Sequence, residues 1–271
     1  MFGLYESWIT KVLWAGYMDS GGPGVGTLFG VGISEFPILV FFWHPIMSFL
    51  LPILVFEILT KKVITGHESV LRKTTRKTVL ITLFLLSTST FIANGNAFDP
   101  VSSNLSLIGT LLIVFGFYHV SKNADIRSLK LGKKGIIFLT AYLALLYSIT
   151  FFFLLPDRIP TTITPYVTIL AFYVIPIMVI LRSNKNPAEM KTLEGNFYSI
   201  KDIRKFAIIL GITVNIACFV PTISMGVLAV TYGSLLVIGT ALFAVVIYKL
   251  HRSSSRSLME TFKTVKKEKY A

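Results

Sequence analysis

Long apolar runs alternate with short polar segments along this chain, and the runs have the length of membrane spans. They cover residues 38–60, 78–96, 104–121, 135–155, 162–181, 205–221 and 225–248, seven in all. A helix needs about 20 apolar residues to cross a hydrocarbon core of about 30 Å. Phe206–Tyr248 contains no Asp, Glu, Lys or Arg over 43 residues, roughly twice the length of one span at ~1.5 Å per residue. Two helices are therefore expected there, with the turn at Pro221-Thr222-Ile223-Ser224, because proline lacks a donor and favours turns. Backbone exposed to lipid must satisfy its own hydrogen bonds, which selects helices, and the dyad alternation of a barrel strand is absent. The pattern predicts an all-α polytopic membrane helix bundle, with residues 1–251 as one transmembrane domain and 252–271 as a basic tail.

The polar segments differ in sign. Of 26 Lys and Arg residues, 24 fall in 61–77, 122–134, 182–205 and 249–271. The intervening segments 97–103 and 221–224 have none, and 156–161 has only Arg158. Cytoplasmic loops carry the excess of Lys and Arg, so the expected orientation in the cell membrane is N-terminus outside and C-terminus cytoplasmic. The four basic segments then hold 24 basic and 7 acidic residues, a net +17, while the opposite side carries −3. Glu57 near the inner end of the first span completes the overall +13.

Composition agrees with the pattern. Hydrophobic residues make up 54% and charged residues 14%, against about a quarter charged in a soluble domain. Cys218 is the single cysteine and lies in an apolar run, so no intrachain disulfide can form. Residues 1–17 lack a basic start and hold Glu6 and Lys11, which does not fit a secretory signal peptide. Residues 1–37 are expected to form an outer loop with a short interfacial helix at 2–17, anchored in the headgroups by Trp8, Trp14 and Tyr17. The alternative is that the glycine-rich stretch 21–32 dips into the outer leaflet as a re-entrant segment.

The chemistry available inside the spans is thin. Pro45 and Pro52 stand seven residues apart in the first span, which in an α-helix puts both on one face and suggests a bent helix lining a pathway or gate. Pro165 and Pro176 invite the same reading in the fifth span. His44 and His119 both lie in spans, but at heights more than ~10 Å apart for helices of ~1.5 Å rise. One haem iron cannot take both, and His44 is expected to be a hydrogen-bonded packing residue. Glu57, 13 residues from His44, is expected to reach the interface near Lys61 and Lys62. No zinc-protease helix motif, nucleophile elbow or phosphate loop occurs. No catalytic residue, metal ligand or cofactor is expected.

Uncharged polar groups supply the remaining inner chemistry: Ser87-Thr88-Ser89-Thr90 with Asn94 and Asn96, Thr213 with Asn215, and Thr231, Tyr232 and Ser234. Such groups bond across membrane helices, and Gly211, Gly233 and Gly239 permit close approach. Pro45, Pro52, His44, Asn94 and Asn215 are therefore the candidate pathway or gating residues. Lys61, Lys62, Arg72, Lys73, Lys266 and Lys267 are the candidate contacts for a cytoplasmic partner or for anionic lipid headgroups. The tail spaces Leu258, Phe262 and Val265 as an amphipathic helix among lysines. Asn104-Leu105-Ser106 has the N-glycosylation acceptor pattern but opens a span.

Seven spans with an outside N-terminus resemble the rhodopsins in topology. A retinal lysine would stand midway along the last span, and Lys249 stands at its inner end. The expected function is a non-catalytic subunit of a membrane transport or macromolecule-translocation complex. It would serve as a conduit or as a docking platform for a cytoplasmic partner such as an ATPase, and nucleic-acid cargo is admitted on charge alone. The alternatives are a membrane anchor subunit of a respiratory electron-transfer complex and an intramembrane lipid-modifying enzyme.

Overall fold

The computed structural model describes residues 2–17, 22–121, 132–182 and 190–268, and side chains beyond Lys249 fall outside the description. Five helices are long and apolar enough to cross a membrane: Pro37–Thr60, Thr75–Gly95, Pro100–Val120, Lys133–Phe153 and Pro221–Lys249, with a shorter apolar stretch at Thr164–Met178. They belong to two compact units. One contains residues 1–48, 131–185 and 235–271, and the other contains 49–130 and 186–234.

In the first unit, a 3-10 turn (Phe2–Ser7) and the short helix α1 (Val12–Ala15) precede a two-stranded hairpin, β1 (Thr27–Leu28) and β2 (Val31–Gly32). This corrects the reading of 2–17 as one interfacial helix. Trp14 is buried and packs edge-on against Tyr166 and Trp8, so it is a core residue and not a headgroup anchor. The glycine-rich segment becomes the hairpin, whose turn uses positive φ at Phe29 and Gly30. The first long helix opens π-wound over Pro37–Leu50 and becomes regular in α2 (Leu51–Thr60). Pro45, inside the π-wound part, cannot donate to the ladder, and a wider turn is one way a helix absorbs that defect. The wider winding also means that seven residues no longer make two α-turns. Pro45 is half-buried while Pro52 is exposed, so the two prolines do not share an environment.

The first unit is completed by α6 (Lys133–Phe153), α7 (Thr164–Arg182) and the later part of α9 (Pro221–Glu268). Gly239 of α9 lets the first helix close in: a Cβ there would meet Pro37 O and Phe42 Cβ at 3.1 Å, and Phe41 stacks on Phe243 nearby. Gly233, by contrast, faces open space. At ~1.5 Å per residue the 48 residues of α9 far exceed a bilayer core, and the helix passes residue 252 without a break into the basic tail.

The second unit joins α2, β3 (Lys62–Ile64), α3 (Glu68–Leu71), α4 (Thr75–Gly95), α5 (Pro100–Ser121), β4 (Met190–Thr192), α8 (Ile200–Phe219) and the start of α9. β3 pairs antiparallel with β4, so basic segments far apart in sequence meet at one end. Thr74 caps α4 through its hydroxyl, and a Ser199–Asp202 capping box opens α8. The two helices run parallel from that shared end. They are tied by Tyr198 and Thr78 at 3.1 Å near their starts and packed through Ala93, Val214 and Ala217 near their ends. Only Val220 separates α8 from α9, and Pro221 is the first residue of α9, where its missing donor costs nothing. The expected turn at 221–224 is thus one residue long and lies just ahead of the proline.

Candidate functional site

The polar centre of the first unit is built by Glu6 and His44. The 3-10 turn carries Glu6 to the head of the first long helix, and His44 Nε2 stands 3.2 Å from Glu6 Oε1 with both side chains largely buried. Nε2 is the ring nitrogen turned toward the carboxylate, and Nδ1 faces the Ser48 hydroxyl at 3.4 Å. Thr10 donates its hydroxyl to the same carboxylate, and the Tyr5 ring meets the imidazole edge-on at 4.9 Å. Burial pushes the Glu6 carboxyl up, but hydrogen bonds from His44, Thr10 and Tyr5 outweigh it and hold the group below its ordinary value. Burial, together with the adjacent Glu6 charge, pushes the Tyr5 phenol well up. His44 thus faces Ser48 through one ring nitrogen and the ionisable Glu6 through the other. The emptiness of ionisable groups inferred from the spans does not hold once the N-terminal segment folds over them.

Beside this pair lies a lysine that sequence reasoning passed over. Lys11 is fully buried, and its Nζ donates to Thr150 O at 2.8 Å and to Leu154 O. The ammonium thereby satisfies the terminal carbonyls of α6 and lies over the Phe151 ring at 5.4 Å. Burial lowers its pKa. The signal was present in the sequence as an isolated lysine in an apolar stretch, but its partners lie about 140 residues away.

In the second unit the polar stations are closed on themselves. Asn215 of α8 and Asn104 of α5 exchange amide hydrogen bonds at 2.9 and 3.1 Å. The Cys218 thiol faces Ser103 Oγ at 3.4 Å. Asn94 is exposed and does not join Asn215, while Asn96 donates to Ile92 O and accepts from Ser106. The hydroxyls of Thr88, Ser89 and Thr90 bond back to carbonyls of their own helix and make no cross-helix glue. Glu57 does not reach toward Lys61 and Lys62. It is buried, accepts from Ile64 N at 3.0 Å and lies 2.9 Å from His67 Nδ1, which pins β3 back onto α2.

Of the basic candidates, Lys61, Lys62 and Arg72 are exposed, whereas Lys73 pairs with Asp202 at 2.5 Å. Lys266 and Lys267 lie on α9, and their side chains are outside the described residues. His119 is exposed on α5. Among the described residues, no group of three or more His, Cys, Asp or Glu is placed to hold a metal ion.

Long apolar helices, polar groups closed within each unit and a basic end define an integral, multi-pass membrane protein. The chain matches an "uncharacterized membrane protein family" over residues 1–260, and it belongs to that family. It is also similar to an "uncharacterized protein" of Archaeoglobus fulgidus, 49% identical over 57 residues, which is 21% of this chain and 17% of that protein. The chain therefore spans about a sixth of that relative's length. No solved structure matches it.

Proposed function

We propose that this protein is a non-catalytic membrane subunit of a transport or translocation complex, in which Glu6 and His44 form a polar gate at the head of the π-wound helix. The reading rests on that pair. His44 lies within a candidate span, and an ionisable residue in a span usually marks a pathway for protons, ions or polar substrate. A carboxylate and an imidazole in contact can part or rejoin as one of them changes charge. Hydroxyls of Thr10 and Ser48 flank the couple. The subunit assignment draws support from α6, which has no buried residue, and from α9, which continues past its apolar part as a basic helix suited to a docking partner. The basic side is read as cytoplasmic by the positive-inside rule.

The test is affinity purification from native membranes in mild detergent, followed by reconstitution of the recovered assembly into liposomes loaded with a pH-sensitive dye. The reading expects partner proteins in fixed stoichiometry and a flux that Glu6→Gln or His44→Gln slows by about tenfold, the scale of one lost charge-assisted bond. Recovery of a lone protein with no flux overturns it.

A further inference from the structure

The basic end of the second unit contains an open cleft of about 380 Å³ lined by Lys73, Thr74, Thr75, Thr78, Val79 and Asn196. Three observations about it point the same way. First, charge surrounds it. The segments 61–77 and 190–205 that meet here hold ten Lys and Arg residues against Glu68, Glu194 and Asp202. Asp202 is already taken by Lys73 and by the Ser199 cap, and Glu68 accepts from Gly66 N. Second, the lining offers the Thr74 and Thr75 hydroxyls, the Lys73 ammonium and the Asn196 amide, which also reaches Lys73 O, as donors for phosphate oxygens, while Thr78 donates to Thr74 O. Third, the cleft opens onto an exposed apolar stripe. Thr75, Val79, Leu83 and Leu86 follow one face of α4 at helical spacing. Val79, Leu83 and Leu86 are 52%, 54% and 41% exposed. A soluble anion has no use for such a stripe, whereas an acyl chain does.

We infer that this cleft is a specific site for an anionic phospholipid, with the phosphate headgroup seated among Lys73, Thr75 and Asn196 and an acyl chain lying along the Val79–Leu83–Leu86 face of α4. The site does not depend on the gate assigned to Glu6 and His44. It anchors the joined ends of α4 and α8 to the headgroup layer. Lys73 serves two acceptors there, Asp202 and the phosphate.

The experiment is native mass spectrometry of the full-length protein in detergent, after exchange into equimolar phosphatidylglycerol and phosphatidylcholine. Retained phosphatidylglycerol should exceed phosphatidylcholine, and Thr75→Asp and Asn196→Asp should each cut that excess about fivefold, the effect of one charge at a membrane surface. Thr75→Asp keeps the fold testable, because an acidic residue in the first turn of α4 suits the helix dipole. Thr164→Asp, also an added acid in a first turn but on α7, should leave the excess unchanged. Equal retention of the two lipids by the unaltered protein overturns the proposal, as does an excess that survives Thr75→Asp. Displacement by glycerol phosphate as readily as by the lipid also overturns it, by assigning the cleft to a soluble phosphate.

Discussion

Replacing Asn104, Asn215 or both by leucine measures what holds α5 to α8. Each amide has two attachments. Asn104 Nδ2 donates to Pro100 O at 2.7 Å and to Asn215 at 2.9 Å, while Asn215 Nδ2 donates to Gly211 O at 2.8 Å and to Asn104 at 3.1 Å. A single substitution therefore removes both cross-helix bonds and orphans one acceptor and one N–H donor, yet the surviving amide keeps its own-helix carbonyl. A net hydrogen bond is worth about 1 kcal/mol, and interhelical bonds in membranes average about 0.6 kcal/mol. The coupling energy should accordingly fall at about 1–2 kcal/mol for the reciprocal pair, with the double variant less destabilised than the singles added together. The assay is built in. Cys218 is buried on α8 against Ser103, the neighbour of Asn104, so reaction with a thiol-specific dye reports separation of these two helices. Melting the four proteins in one detergent gives the cycle. A coupling within about 0.3 kcal/mol of zero, the usual scatter for independent sites, would refute the claim that this pair acts as a unit.

Other consequences can be checked alongside. Lys11→Met takes the ammonium away from Leu154 O, while Thr150 O keeps its bond from Leu154 N. It should cost about 1–3 kcal/mol and raise proteolysis between residues 154 and 160, the segment that follows α6. Asp202 is held below its ordinary carboxylate value of 3.8: burial opposes this, but Lys73 and Ser199 outweigh it. Its contribution is therefore complete above pH ~4 and is lost as pH falls through the lower folded value. Hydrogen exchange at the start of α8 should rise on that acid limb, and Asp202→Asn should flatten it. Topology can be read in a Cys218→Ser background. A cysteine at Ser102 should label from outside and one at Ser69 should not. Both positions are exposed, whereas neighbouring Ser103 is buried and gives no usable signal.

The helices were largely legible in sequence because a membrane span is a local property. Its length and lack of charge are both read within about 20 residues, and each predicted run from 78–96 onward coincides with a helix in the structure. The Ser199–Asp202 capping box is local too, a pattern of residues three apart, but it was recognised only in the structure. The polar chemistry was not legible, because it depends on which distant segment supplies the partner. His44 could be read as hydrogen-bonded, but nothing in its own helix points to Glu6, 38 positions earlier. Asn215 was singled out as a candidate pathway residue, while the residue it bonds, Asn104, carried only a glycosylation pattern. Asn94, chemically identical, points outward. Glu57 looked like an interfacial acid beside two lysines, yet the turn after β3 brings His67 back onto it.

By itself, then, the sequence determined the solvent each segment lives in. Runs without charge suit lipid, and clusters of Lys and Arg suit water, since the cost of burying a charge acts residue by residue. Only the tertiary structure decided how the few charges left among apolar residues are neutralised. Lys11 caps a helix, Glu6 meets His44, Glu57 meets His67 and Lys73 meets Asp202. The reason is range: lipid excludes a charge wherever it sits, but a hydrogen bond forms only within about 3 Å, and folding alone brings those atoms that close.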